Sequence, residues 1–260
     1  MGHVLARQNI PMTALPDFCT PLDADWPLPT LLDGCQIRST RFDRQRLQAG
    51  DFALSRVEAP ANIQRSVAKR QAEYLAGRIC AREALLAAGS EAWVPGTDEE
   101  RAPVWPAGFC GSITHGDGWA AAIVARDSHW RGLGLDVENR LETTRAERLA
   151  AEILTPDELA RLDPQQAALQ VTLTFSLKES LFKALFPLVR KRFYFEHAEL
   201  LSWSAGGHAR LRLLTDLSEE WHHGQEIDGQ FSLFDGRLLS LVAIPSVKGS
   251  SQSVRHGANL

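Results

Sequence analysis

Two pairs of residues in this 260-residue chain are spaced for chemistry. Asp136 and Glu138 stand two apart in Gly134-Leu-Asp-Val-Glu138, and Glu179 and Lys183 stand four apart in Phe175-Ser-Leu-Lys-Glu-Ser-Leu-Phe-Lys183. On a strand, residues i and i+2 point to one face, so both carboxylates of the first pair face the same way. They repel unless they are solvated or share a cation. Mg²⁺ suits them: it takes hard oxygen donors, one to three carboxylates, with water and ligand phosphate completing the shell. On a helix, Phe175, Glu179 and Lys183 share one stripe, and Leu177, Leu181 and Leu185 form a second that anchors it in a core. A Glu and a Lys one turn apart can simply neutralise each other on a solvated face. Here Phe and Leu crowd the stripe, so a half-buried cluster of Lys178, Glu179 and Lys183 needs a partner, and a phosphate with its metal would supply one.

His115 lies in Cys110-Gly-Ser112-Ile-Thr114-His-Gly116-Asp-Gly118. A lone histidine is more often structural, but small residues with exposed N–H groups, a hydroxyl and an imidazole make a phosphate seat. Lys69, Arg70, Arg78 and Arg82 fall on a helix predicted over 63–88; they read either as a solvated face or as an anion-binding rim. Walker, G-x-G-x-x-G, G-x-S-x-G and H-E-x-x-H patterns do not occur, which removes P-loop, Rossmann, hydrolase and zincin readings.

Those residues must be placed by the elements around them. After a Pro-rich, wrapping lead-in over 1–35, a weak strand is predicted at 36–42, then the 63–88 helix, stopped by Gly89. A Pro-rich, acidic loop spans 94–106. Strands at 119–125 and up to 138, joined by a polar turn, suggest a hairpin. Thr155-Pro-Asp-Glu158 is a helix start, with Thr as N-cap, Pro at N1 and acids in the first turn. A helix over 173–189 carries the Glu179 and Lys183 stripe. Asp235-Gly236 between alternating apolar runs marks a hairpin, and residues beyond about 246 read as a disordered tail. Long helices beside strands make the class α+β.

Forty-four per cent apolar and 23% charged residues are those of an ordinary globular protein, large enough for one domain or two packed halves. A net charge of −4 argues against general affinity for nucleic acid or anionic membranes. Four scattered cysteines, an N-terminus without a signal layout and the lack of an 18-residue apolar run point to a reducing cytoplasm.

Taken together, Gly111-Ser-Ile-Thr-His115 with Trp119, then Gly134-Leu-Asp-Val-Glu138, then Phe175-Ser-Leu-Lys-Glu179-Ser-Leu-Phe-Lys183 resemble the three ordered signatures of the 4′-phosphopantetheinyl transferases, single-chain Sfp/EntD type. The segment from Lys69 to Arg78 is similar to that family's upstream helix. The resemblance implies two similar α/β halves in a pseudo-two-fold arrangement, each with a long helix against a small antiparallel sheet, divided as 1–132 and 133–246. It implies an enzyme moving the phosphopantetheine arm of coenzyme A, its co-substrate, onto a serine of an apo acyl or peptidyl carrier protein. Adenosine 3′,5′-bisphosphate would leave, and the enzyme would be a monomer. By the same resemblance Asp136, Glu138 and Glu179 hold Mg²⁺, Lys183 contacts the pyrophosphate, and Thr114 and His115 hold the 3′-phosphate. Arg70, Arg101 and Pro103 are further CoA contacts. Glu179, directly or through a water on the metal, is the first candidate for general base, and Glu158 the second; Glu158 reads equally well as a helix-dipole partner. One departure stands out: Phe175 occupies a position where the family usually has Trp, an aromatic exchange that leaves the acids and lysine unaltered. Two other readings of the same residues stay open. One is another Mg²⁺-dependent phosphotransferase or pyrophosphate hydrolase, the other a module that binds CoA or carriers without catalysis.

Overall fold

The computed structural model describes residues 15–246. In chain order the first half holds β1 (Gln36–Arg41), α1 (Asp51–Leu54), α2 (Ala61–Gln64), α3 (Ala68–Ala87), β2 (Gly96–Thr97), β3 (Pro103–Val104), β4 (Phe109–Gly116) and β5 (Trp119–Arg126). The second holds β6 (Trp130–Asn139), α4 (Thr143–Ile153), α5 (Pro156–Ala160), α6 (Ala167–Val189), β7 (Ala198–Trp203), β8 (His208–Leu213), β9 (Glu226–Phe234) and β10 (Arg237–Pro245). The tail expected beyond 246 lies outside the described residues.

Two antiparallel sheets carry the two long helices. The first has the order β1-β5-β4 and the second β6-β10-β9-β8-β7. β5 is buried along nearly its whole length, and its period of two splits it cleanly. Ala120 packs with the α3 residues Leu75, Ala76 and Ile79, while Trp119, Ala121, Ile123 and Ala125 face the opposite way. Alanines on both partners let α3 lie close on the strand. In the second half Leu173, Leu177, Leu181 and Leu185 of α6 form a fully buried stripe against Leu211, Leu213, Leu238 and Val242. Gly132 and Gly134 have no side chain because α6 lies directly on β6; a Cβ at Gly134 would overlap the Ser180 carbonyl oxygen.

The predicted hairpin of β5 and β6 does not form. β5 pairs with β4 and β1, and β6 pairs with β10, so the turn between β5 and β6 carries the chain from one sheet to the other. The sheets meet edge to edge at β4 and β6, and the edges are bridged by side chains. Leu135 N–H donates to Ser112 Oγ at 2.9 Å and Val137 N–H donates to Thr114 Oγ1 at 3.0 Å. Behind this seam one apolar cluster runs across both halves, from Ile37 and Ile123 to Leu133, Leu135 and Leu241. The lead-in crosses it and is tied down on the far sheet by a two-way bond between the Thr30 backbone and the Gln230 side-chain amide, 2.9 and 3.0 Å.

Other boundaries shift for local reasons. The helix predicted from 63 breaks before Ala68: Val67 is extended and exposed, and the Gln71 amide donates to the Ser66 and Gln64 carbonyls at the break. Strand β7 follows a run, Phe193-Tyr-Phe, with no clear alternation, and sequence reading passes over it. Asp235 and Gly236, both at positive φ (47° and 74°), make the turn between β9 and β10, as Asp-Gly predicts.

Candidate active site

The functional side chains come from the facing elements α3, β4, β6 and α6. On β6, Asp136 is buried and Glu138 half-buried. Asp136 Oδ1 accepts from Lys183 Nζ at 2.6 Å, and Lys183 also donates to the Leu135 carbonyl at 3.1 Å. Asp136 Oδ2 accepts from Ser176 Oγ at 2.9 Å. Glu138 is pushed up to about 7, chiefly by burial and then by the Asp136 charge, with Glu179 adding to it. Burial, with the Asp136 charge, also raises Glu179. The three carboxylates lie within reach of one another's charge with one lysine among them, and the excess negative charge is what a cation would relieve.

Among the described residues no three His, Cys, Asp or Glu side chains enclose a metal ion by themselves. The donor set nevertheless fits a hard divalent cation: carboxylate oxygens only, with Glu138 and Glu179 pushed toward protonation chiefly by burial. A shell completed by ligand oxygens is the usual arrangement for Mg²⁺ on a phosphate.

Across the seam, His115 ends β4 and meets α3. Arg70 Nη1 donates to His115 Nε2 at 2.8 Å, so that nitrogen is the acceptor and the ring is neutral. Burial, then the Arg70 and Lys183 charges, hold its pKa down to about 4. Glu73, nearly buried, stands 3.7 Å from both Arg70 Nη1 and His115 Nδ1, and 3.9 Å from Lys69. Two cavities open on either side of this group. One, about 420 Å³, is lined by Arg70, Arg78, Arg101, Pro103 and His115; the other, about 440 Å³, by Lys69, His115, Glu138 and Arg145. They share Glu73 and His115, which makes one groove from the β2–β3 hairpin to Glu138 of β6.

Three expectations fail here. Thr114 is buried in the seam, its hydroxyl accepting from Val137 N–H, so neither it nor Ser112 presents a hydroxyl to a phosphate. Lys178 turns away from Glu179 and Lys183; its ammonium is buried and donates to Glu158 Oε2 at 2.7 Å and to the Ile153 and Phe195 carbonyls at 2.9 Å each. Glu158 is not free to act as a base, because its oxygens also accept from the Thr155 and Leu200 backbone N–H groups. It closes a capping box on α5.

Sequence reading missed Glu73, although its place one turn after Lys69 and Arg70 could have flagged it. It also underrated Arg78. That guanidinium is buried in the groove wall, stacked 4.5 Å over Tyr74 and bonded to Thr97 Oγ1 at 3.0 Å. Its Nε has no partner, and no carboxylate pairs with it among the described residues.

A groove with cations at one end and clustered carboxylates at the other is suited to a polyphosphate ligand, and related sequences bear on which one. Residues 58–125 match the family described as 4′-phosphopantetheinyl transferase N-terminal domain, and residues 132–239 match the 4′-phosphopantetheinyl transferase superfamily. Similar proteins include 4′-phosphopantetheinyl transferase Npt of Nocardia iowensis, 37% identical over 68% of this chain and 80% of that one. The chain belongs to the 4′-phosphopantetheinyl transferases. Svp of Streptomyces mobaraensis, also called a 4′-phosphopantetheinyl transferase, is 32% identical over 77% and 83% of the two chains. Enterobactin synthase component D of Escherichia coli K12 is 43% identical over 48% of this chain and 59% of its own. The enzyme is thus a transferase of the single-chain Sfp/EntD type, and the α+β class read from its helices and strands is the family's. No helix among the described residues is long and apolar enough to cross a membrane.

Proposed function

We propose that this transferase moves 4′-phosphopantetheine from coenzyme A to the serine hydroxyl of an apo acyl or peptidyl carrier protein and releases adenosine 3′,5′-bisphosphate. The observation that carries the reading is the groove itself: the cationic wall of residues 58–125 and Glu138 of the second matched segment line two cavities that share His115. In this reading residues 1–132 grip the nucleotide end of coenzyme A and residues 133–246 carry the reacting centre. One polypeptide holds both, so a monomer suffices.

The serine oxygen forms a bond to the phosphorus that bears pantetheine, and the bond from that phosphorus to the bridging pyrophosphate oxygen breaks. The bridging oxygen departs with the electron pair on adenosine 3′,5′-bisphosphate. Asp136, Glu138 and Glu179 would hold Mg²⁺, which supplies charge neutralisation for the pyrophosphate. Lys183 stands within 2.6 Å of Asp136 and is long enough to turn its ammonium onto a phosphate oxygen. Neutral His115 can donate one hydrogen bond, and with Arg70 beside it would anchor the 3′-phosphate; Arg78 and Arg101 line the same cavity. The serine proton needs an acceptor near the phosphorus. Glu179, one turn before Lys183 on α6, is the carboxylate assigned that role in this reading.

Intact-mass spectrometry of an apo carrier incubated with enzyme, coenzyme A and Mg²⁺ tests this. The expected result is a gain of one phosphopantetheine, lost with chelator and in Glu179→Ala. Coenzyme A that binds while neither an acyl nor a peptidyl carrier gains mass would overturn it.

A further inference from the structure

Asp136 is held from behind by a chain of three buried hydroxyls that the transfer reaction as described does not use. Ser176 Oγ reaches Asp136 Oδ2 at 2.9 Å, Ser240 Oγ reaches Ser176 Oγ at 2.8 Å, and Ser180 Oγ reaches Ser240 Oγ at 2.8 Å. All three serines are fully buried. Ser176 and Ser180 lie one turn apart on α6, and Ser240 lies on β10 directly opposite Asp136 in the β6–β10 register. The chain crosses the helix–sheet interface at the point where Gly134 lets α6 lie on β6.

Counting protons orients the chain. A carboxylate only accepts, so Ser176 must spend its one proton on Asp136. Ser240 must then donate to Ser176, while Ser180 has two acceptors on Ser240, its Oγ and its carbonyl oxygen at 3.1 Å. Ser176 and Ser240 thus align toward Oδ2 with Ser180 packed behind them, while Oδ1 is the oxygen turned to Lys183.

Resting on the reading of Asp136 as a cation ligand, we propose that Ser176, backed by Ser240 and Ser180, is a positioning residue that fixes the Asp136 carboxylate with Oδ1 toward Lys183. The hydrogen-bonded support behind a metal ligand typically changes metal affinity 10- to 100-fold when it is removed. Without the Ser176 hydroxyl the carboxylate could turn about its terminal bond, and the cation would meet a ligand that has first to be ordered.

The test is Mn²⁺ binding to the coenzyme A complex, followed by the electron paramagnetic resonance signal of the free ion, with coenzyme A affinity measured separately in chelator. Ser176→Ala is expected to weaken Mn²⁺ binding about tenfold or more, and to leave metal-free coenzyme A affinity close to that of the parent. Ser240→Ala keeps the Ser176–Asp136 bond and removes only its backing, so a smaller, several-fold weakening is expected. It carries the test if Ser176→Ala fails to fold. Asp136→Asn separates the two readings. Unchanged Mn²⁺ affinity in Asp136→Asn would sink the ligand assignment and the positioning role with it. Loss in Asp136→Asn with parental affinity in folded Ser176→Ala and Ser240→Ala would overturn the positioning role alone.

Discussion

His115 shows how one residue's setting fixes its protonation. Its ring is partly buried, bonds Arg70 and feels the Lys183 charge, so its folded pKa falls from 6.5 to about 4. A histidine depressed in this way adds stability that is complete above 6.5 and is lost as pH falls toward 4, because the unfolded chain binds the proton first. The expectation is that the parent loses about 1–2 kcal/mol between pH 7 and pH 4.5 that His115→Gln does not. Paired thermal melts of the apo proteins across that range measure it. Equal pH dependence would mean that the ring takes up its proton at the same pH in the folded and unfolded chain. At this same scale the sequence was most and least informative. Asp136, Glu138, Glu179 and Lys183 stand out by type and spacing, and the fold does bring them to one place. Lys178 and Thr114 lie in the same motifs yet point elsewhere, because a motif records neighbours along the chain while helix rotation and sheet edges decide direction.

At the scale of elements, Glu158 and Lys178 belong to the framework. Their pair joins the N-terminus of α5 to the C-terminus of α4, the middle of α6 and the start of β7, with both side chains under 5% exposed (4% and 2%). Removing one partner leaves a buried charge without compensation, which typically costs about 3–5 kcal/mol. Glu158→Gln should therefore lower the denaturation midpoint strongly while molecules that remain folded transfer at close to the parental rate. Urea titration with activity assayed well below the transition separates the two effects. A stable Glu158→Gln enzyme with transfer abolished would return Glu158 to the reacting centre. The sequence did contain half of this outcome. Thr155-Pro-Asp-Glu158 predicts a capped helix start, and the cap is there; the partner twenty residues away could not be read, since it depends on how α5 lies against α6.

For the whole molecule, the joint between the halves is the feature on which the groove depends. Ser112 and Thr114 stand in for the backbone carbonyls that would pair two strands, and the apolar cluster behind them is shared. Replacing them by Ala and Val leaves the Leu135 and Val137 N–H groups buried without acceptors, at about 1–3 kcal/mol each. The expected consequence is a loss of cooperativity: one calorimetric transition in the parent, two in the double variant. A single sharp transition in the variant would show that the apolar cluster and the lead-in join the halves without the hydroxyl bridges.

What the sequence determined by itself is what short-range physics encodes. Periodicity located α3, α6 and β5, the Asp235-Gly236 turn set the β9–β10 hairpin, and three ordered motifs identified the family. Tertiary structure alone decided that β5 and β6 part into different sheets, that Glu158 is a strut, and that the Ser112 and Thr114 hydroxyls join the halves rather than meet a phosphate. The reason is the same in each case. Strand pairing across sheets, buried charge pairing and edge-to-edge contact are set by which surfaces meet, and residues far apart in the chain supply the two sides.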